Sequence, residues 1–321
     1  MKLKIGTRGS KLALYQANLV KERLTAQCSG KNAKDEGIDI EIIAIKTSGD
    51  KILNASLSSF GGKGLFVKEI EESLFSGEID IAVHSLKDVP QLVPDGLTLG
   101  AVLKRDDPRD CVILSAKPKK SLENYSGNFA GLLKKSAIVG TSSLRRRSLM
   151  ARLRDDFIFE PLRGNIDTRI EKLKKGFFDA IVLSSSGLIR LDLENNIGVY
   201  LDPVKFIPQC GQGAIAIEHR TGREDMKEKI APLNDQETYA AVFAERACIR
   251  ELNCGCASPV GAYAYVKNDV LRIKGFVSNV QGEYLEGDFE GKKDDYESAG
   301  KSLALKLISK GAFEILSKNN S

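Results

Sequence analysis

The chain has 321 residues, 42% hydrophobic and 28% charged, an ordinary globular composition long enough for two or three domains and several cores. Its 48 basic and 43 acidic residues leave a formal charge of +5, too even to mark a nucleic-acid binder, and no window approaches the roughly 18 apolar residues of a membrane span. Six cysteines, at positions 28, 111, 210, 248, 254 and 256, make no C-x-x-C pair, and there are two histidines, His84 and His219, a set that argues against a disulfide framework or a zinc site.

In chain order, the opening M-K-L-K-I-G has no apolar leader or cleavage site, which makes the cytoplasm the expected location. Residues 3–7 read as a strand. Ser10 is placed to cap a helix over 11–25, with Leu12, Tyr15, Leu19 and Arg23 along one side. The run I-D-I-E-I-I-A-I-K at 38–46 predicts a strand covered on both faces, 63–76 a helix, and 79–84 a second buried strand. Such alternation implies βαβ units and a mostly parallel sheet.

The pattern restarts after K-R-D-D-P-R-D at 104–110. Strands are expected at 111–114, 137–140, 157–160 and 179–184, between helices at 144–154, 167–175 and 185–191; residues 117–136 form a weakly patterned insertion. A Pro-rich joint at 202–208 precedes a strand at 213–218. Two similar α/β units joined by two crossing segments imply a hinged cleft. The last hundred residues change character: a helix at 235–252, a loop at 253–259, strands at 260–266, 270–278 and 283–289 with turns at Asn268-Asp269 and Gln281-Gly282, and a closing helix at 294–309.

Charge is unevenly spread. Eight arginines lie between 145 and 190: Arg145, Arg146, Arg147, Arg152, Arg154, Arg163, Arg169 and Arg190. In V-G-T-S-S-L-R-R-R at 139–147 a strand ends, hydroxyl residues follow and a helix begins, an arrangement that makes an anion site; a plain cap followed by a solvated basic face reads equally well. L-R-G-N-I-D-T-R at 162–169 repeats the strand-to-helix turn, with Arg163 and Arg169 placed to reach one opening, and the functional reading leads there.

Three further segments carry reactive groups. H-S-L-K-D-V-P at 84–90 sets Lys87 and Asp88 where the chain leaves the sheet; an acid there can be a general acid/base or stabilise a cationic intermediate, but taken alone the segment reads first as a surface Lys–Asp pair at a turn. N-C-G-C-A-S-P-V-G at 253–261 offers either an exposed thiol nucleophile or a structural cysteine. S-S-F-G-G-K-G-L-F-V-K at 58–68 suggests a phosphate or carboxylate loop but departs from the Walker pattern.

Taken in order, T-R-G-S at 7–10, G-G-K-G-L-F-V-K-E at 61–69, H-S-L-K-D-V-P at 84–90, V-G-T-S-S-L-R-R at 139–146, L-R-G-N at 162–165, G-Q-G-A at 211–214 and G-C-A-S-P-V-G at 255–261 resemble the porphobilinogen deaminase (hydroxymethylbilane synthase) family nearly end to end. The resemblance implies an α/β fold of two periplasmic-binding-protein-like lobes plus a small α+β C-terminal domain with a three-stranded sheet. Its domains would be 1–103 with 205–222, 104–204, and 223–321. It implies a transferase of tetrapyrrole biosynthesis that condenses four porphobilinogen molecules, with loss of ammonia, into hydroxymethylbilane. A dipyrromethane cofactor, joined by a thioether, would prime the chain.

By motif position the catalytic residue is Asp88. Cofactor binding falls to Cys256, Lys87, Ser143, Arg145, Arg146, Arg163 and Gln212, and substrate binding to Arg8, Ser10, Lys63, Arg163, Arg169 and Arg190. The arginines would meet acetate and propionate arms. No metal, nucleic acid or membrane is implied, and a monomer is expected. Cys254 stands where the family is expected to have glycine, a second thiol two residues from Cys256, and Ser59 stands where relatives often carry a lysine in the lid at 56–64. The rival readings are a non-catalytic two-lobed anion or solute binder and a nucleic-acid binder using the 145–154 arginines.

Overall fold

The computed structural model describes residues 2–28, 38–48, 67–115, 129–254, 258–279 and 281–318. The chain divides into two compact units, Met1–Asp106 with Ala214–Ala240, and Asp107–Gly213 with Ala241–Ser321. Lys63, Cys256, the lid at 56–64 and residues 117–128 of the insertion lie outside the described residues.

The first unit is built on β1 (Lys2–Arg8), β2 (Asp39–Ile45), β3 (Ile81–Ser85), β4 (Leu97–Val102) and β10 (Ile215–Arg220), in the order β2-β1-β3-β10-β4. β1 runs parallel to β2 and β3, whereas β10 is antiparallel to both β3 and β4. Four of the five strands therefore run one way, as the mostly parallel expectation has it, and β10 alone runs against them. Strand direction is fixed by connections, and β10 arrives from the other end of the chain.

Side-chain alternation sends Leu3, Ile5, Ile81, Val83, Ile215 and Ile217 to one face, under α1 (Lys11–Cys28). The other face is closed by α2 (Lys68–Ser76) through Ile70 and Leu74 on Ile79 and Ala82. Each such side chain contributes about 1.5–3 kcal/mol on burial. Gly6 is required between these layers, since a Cβ there would lie 2.2 Å from Ile79 Cδ1.

One sequence expectation changes here and another is refined. α1 buries Ala17, Val20 and Leu24, not the Leu12–Arg23 stripe; Tyr15 is 43% exposed. The two stripes have the same spacing and lie roughly a third of a turn apart, and small Ala17 permits the closer approach to the sheet. β2 is an outer strand covered on both faces but incompletely: Ile40 and Ile42 pack on the α1 side and Ile43 and Ile45 on the α2 side, and of these only Ile40 is fully buried.

The second unit repeats the pattern with β5 (Asp110–Leu114), β6 (Ile138–Gly140), β7 (Ile158–Glu160), β8 (Ala180–Ser184) and β9 (Val199–Tyr200), ordered β7-β6-β8-β5-β9. β6 is parallel to β7 and β8, and β5 is antiparallel to β8 and β9. Helices α3 (Leu144–Leu153), α4 (Ile166–Lys174) and α5 (Ser185–Ile189) follow β6, β7 and β8. After α6 (Glu224–Ile230) and α7 (Gln236–Glu251), the same unit holds an antiparallel sheet of β11 (Val260–Lys267), β12 (Val270–Ser278) and β13 (Tyr284–Lys292).

Asn268 and Asp269 both take positive φ, as a tight I′-type hairpin requires. α8 (Tyr296–Ile308) lays Leu303 and Leu307 over Gly275 and Gly287 of this sheet. Phe276 reaches into the core of the five-stranded sheet and stacks on Tyr284. The short terminal helix α9 (Ala312–Ser317), β4 and α6 have no counterpart in the sequence reading.

Candidate active site

In the first unit the site begins where β3 stops. Leu86 N donates to Ala214 O, carrying the β3–β10 ladder one residue beyond the strand. A 3-10 turn over Leu86–Asp88 follows, closed by Val89 N donating to Leu86 O. Leu86 and Val89 are buried anchors, while between them Lys87 is half-buried and Asp88 is exposed. The turn thus presents its carboxylate from a fixed backbone.

Beside it is a cavity of about 60 Å³ whose lining includes Thr7, Arg8, Ser10, Gln16, His84, Ser85 and Asp88. Thr7 Oγ1 donates to Val83 O, and Gln16 and Ser85 exchange side-chain hydrogen bonds at 2.8 and 3.1 Å. Ser10 Oγ accepts from Ala13 N, so it caps α1 as the sequence reading expects. The cavity lies at the first turn of an 18-residue helix with Arg8 beside it, an electropositive corner rimmed by one carboxylate.

Behind the turn, His84 Nε2 and Glu218 Oε2 are 3.0 Å apart and buried. Glu71, on α2, is half-buried; burial first, and the charge of Glu218 second, push its carboxyl up to about 7.

In the second unit the arginines prove to be unlike one another. Arg145 and Arg146 are 4% and 9% exposed, and both turn onto Asp110, which is fully buried at the start of β5. Arg145 Nη1 is 2.7 Å from Asp110 Oδ2 and donates to Ile207 O. Arg146 donates through Nε and Nη2 to Asp110 Oδ1 and through Nη1 to Val182 O. Gln212 joins the group, its Nε2 donating to Pro108 O and to Asp110 Oδ1.

Burial alone would raise the Asp110 carboxyl, yet Arg145 and Arg146 outweigh it and hold the group well below the usual carboxylate range. Burial, ahead of the opposing pull of Asp110, lowers the proton affinity of Arg145. Two guanidiniums on one carboxylate leave a positive excess inside the protein, a charge an acidic ligand would neutralise.

The turns around the triad are stitched together. Ser143 caps α3 by accepting from Arg146 N, and Ser142 Oγ both donates to Leu162 O and accepts from Leu162 N. Arg163 is half-buried next to Gly164, whose φ is 107°. Arg169 uses its Nε to close that turn on Gly164 O, and buried Arg190 donates to Gly213 O. The other arginines of the cluster serve the fold: Arg152 lies over the Tyr284 ring at 3.5 Å, Arg147 faces Phe159, and Arg154 pairs with Asp156 and donates to three carbonyls. Density of arginine in the sequence therefore overstates the number that can face a ligand.

Cys254 is half-buried, with Sγ 3.2 Å from Leu252 O, and burial pushes its thiol up to about 11. That disfavours the thiolate a nucleophile needs. Asp110, Glu71 and Glu218 were not singled out in the sequence. The D-P-R-D run at 107–110, an acid at the start of an apolar strand, is the one signal that bears on Asp110; I-A-I-E-H-R at 215–220 reads as an ordinary strand end.

The family profile described as porphobilinogen deaminase, dipyromethane cofactor binding domain, matches residues 3–228, and that of the porphobilinogen deaminase C-terminal domain matches 239–309. The porphobilinogen deaminase of Syntrophobacter fumaroxidans is 42% identical over 315 residues, 98% of this chain and 96% of its own length. That of Geobacter metallireducens is 43% identical over 317 residues, 98% of this chain and 94% of its own. Among solved structures, a TRAP periplasmic solute binding protein from Desulfovibrio salexigens aligns with 73% of this chain and 72% of its own at 13% identity and a TM-score of 0.39.

Proposed function

The chain belongs to the porphobilinogen deaminase family, and we propose that it condenses four porphobilinogen molecules head to tail into the linear tetrapyrrole hydroxymethylbilane. It is a transferase with a dipyrromethane cofactor. The observation that carries the reading is the match of both family profiles along one chain, with relatives identical at more than four positions in ten over nearly its whole length.

Each condensation expels ammonia from the aminomethyl carbon of porphobilinogen and leaves an electron-poor azafulvene cation. The free α-carbon of the acceptor pyrrole attacks that carbon, and the α-proton departs; water releases the finished chain. The cofactor, when bound, supplies the first acceptor pyrrole. Asp88, exposed on its buried-anchored turn, stabilises the cation and holds or passes the proton of the pyrrole N–H. Lys87, Arg8 and Ser10 orient acidic arms, Arg8 and Ser10 from the cavity lining.

The residues present fit a carboxylate-bearing group, because the Arg145–Asp110–Arg146 triad keeps a positive excess. Arg145, Arg146, Ser143, Arg163 and Gln212 would hold cofactor carboxylates, with Asp110 fixing the two guanidiniums and Gln212. Arg163, Arg169, Arg190 and Lys63 would take substrate arms, and Cys256 would carry the thioether. Residues 223–321 would act as the domain that bears it. We expect a cytoplasmic monomer whose partner is small-molecule porphobilinogen.

The decisive test is the intact mass of the freshly purified protein. A dipyrromethane-sized excess that maps to Cys256, is lost in Cys256→Ser and accompanies porphobilinogen consumption is the expected result. An unmodified chain that consumes no porphobilinogen would return the fold to a binding role.

A further inference from the structure

One cluster of titratable side chains has no part in the chemistry above and lies directly behind the Asp88 turn. His84 on β3 and Glu218 on β10 share a face of the sheet: Glu218 is in register with Ala82, and Ala216 with His84. Their side chains meet through Glu218 Oε2, which leaves Oε1 of Glu218 buried with no hydrogen-bond partner among the described residues. α2 packs on the same face and brings a second carboxylate, Glu71, whose Oε1 is likewise buried and has no partner among the described residues. A buried carboxylate oxygen without a donor is destabilising unless a proton sits on it. Buried and set beside the charge of Glu218, the Glu71 carboxyl therefore holds its proton more tightly than an ordinary glutamate.

The other charged groups near this cluster are accounted for. Arg8 from β1 and Asp88 from the turn line the cavity that His84 also lines. Glu69, also on α2, accepts from Ser48 N. His219, next along β10, faces the opposite side, where a Cβ on Gly100 would meet its ring, and its Nδ1 lies 2.7 Å from Arg220 O.

We propose that Glu71, packed by α2 onto the sheet face that carries the buried His84–Glu218 pair, is a switchable carboxyl that, with this pair, positions the Leu86–Asp88 turn and adds negative charge behind the cavity when it ionises. The three are positioning residues, and the consequence for turnover rests on the reading of Asp88 given above. The mechanical link is the ladder: the β3–β10 register that His84 and Glu218 pin is the one that Leu86 N continues onto Ala214 O. The electrical link is Glu71. Its carboxyl, held up to about 7 by burial and by Glu218 against the opposing influence of His84, is neutral below that pH and anionic above it. An added anion behind Asp88 favours a cation forming in front of it, so turnover rises with pH through this range.

Amide NMR of the full chain, titrated across neutral pH, tests this directly. The Lys87 and Asp88 signals should follow one titration with a midpoint about 7. Glu71→Gln, an isosteric change at a half-buried site, should abolish it. Glu218→Gln removes the repelling charge and should move the midpoint to lower pH; a direct carbon-13 titration of the Glu71 carboxyl serves if that variant folds poorly. In the cofactor-loaded enzyme, porphobilinogen turnover should rise through the same pH and flatten in Glu71→Gln. Turn amides that do not titrate, or that titrate unchanged in Glu71→Gln, would overturn the proposal. Amides that titrate as expected in a protein that consumes no porphobilinogen at any pH would take down the reaction instead and leave the positioning group standing.

Discussion

The two five-stranded sheets have one topology and opposite electrostatics. In each, two parallel pairings are followed by two antiparallel ones, and in each the fourth strand carries a buried acid: Glu218 on β10, Asp110 on β5. What differs is the base supplied to it. Glu218 receives one imidazole and shares its surroundings with Glu71, whose carboxyl is pushed up to about 7 by burial and then by Glu218. Asp110 receives two guanidiniums and the amide of Gln212, which lock it as an anion at any working pH. The same place in the two sheets raises a neighbouring carboxyl in one unit and is itself a locked anion in the other.

The locked side should break hardest. Asp110→Asn leaves Arg145 and Arg146 buried without their carboxylate, and we expect a loss of about 3–5 kcal/mol in urea unfolding. The same variant should load cofactor poorly, because Ser143, Gln212 and both arginines are anchored around that one side chain. A loss below about 1 kcal/mol would mean that water reaches the triad and screens its charges.

The exposed carboxylate of the other unit should behave in the reverse way. Asp88→Asn should keep its stability within about 0.5 kcal/mol and lose roughly 10²–10⁴-fold in turnover. Stopped assays with porphobilinogen, alongside thermal unfolding, separate the two. Near-normal turnover would remove Asp88 from its role. Smaller still is the expected effect of Cys254→Ser: with its thiol held up to about 11, the residue should lose no cofactor mass and little activity. Loss of the mass excess in Cys254→Ser would move the anchor.

The sequence discloses these regions unequally. The Asp88 turn is legible because an apolar strand, a polar break and Pro90 fall within ten residues. Arg145 and Arg146 are legible as charge at a helix start. Their partner is not, since Asp110 stands on a strand distant in sequence whose direction local patterning cannot encode. β5 and β10 look like any buried strand, which is why the mostly parallel direction of each sheet is legible and its one reversed strand is not. α1 fails differently: two stripes of equal spacing compete, and only the sheet beneath decides for Ala17, Val20 and Leu24. Glu218 reads as the polar end of a strand and is interior, paired with His84 diagonally across the ladder.

The finest test of the comparison uses stability against pH. Glu71 titrates at an ordinary glutamate value, about 4.3, in the unfolded chain and at about 7 in the folded one. A carboxyl raised on folding favours the native state while it is protonated in both forms, and that advantage is lost as pH rises from the unfolded value through the folded one. Glu71→Gln cannot ionise, so it should match the unaltered protein in acid and gain on it progressively until about pH 7, after which the difference stays level. Partial exposure of Glu71 keeps the gain small, so the shape of the curve matters more than its height. Asp110 moves the other way: its depressed carboxyl holds its contribution far into acid, well past the range in which Glu71 responds. Melting temperatures of the two proteins across that span should therefore diverge in one window only; parallel curves throughout would mean that Glu71 ionises on folding like any surface glutamate, and that both sheets carry fixed charges.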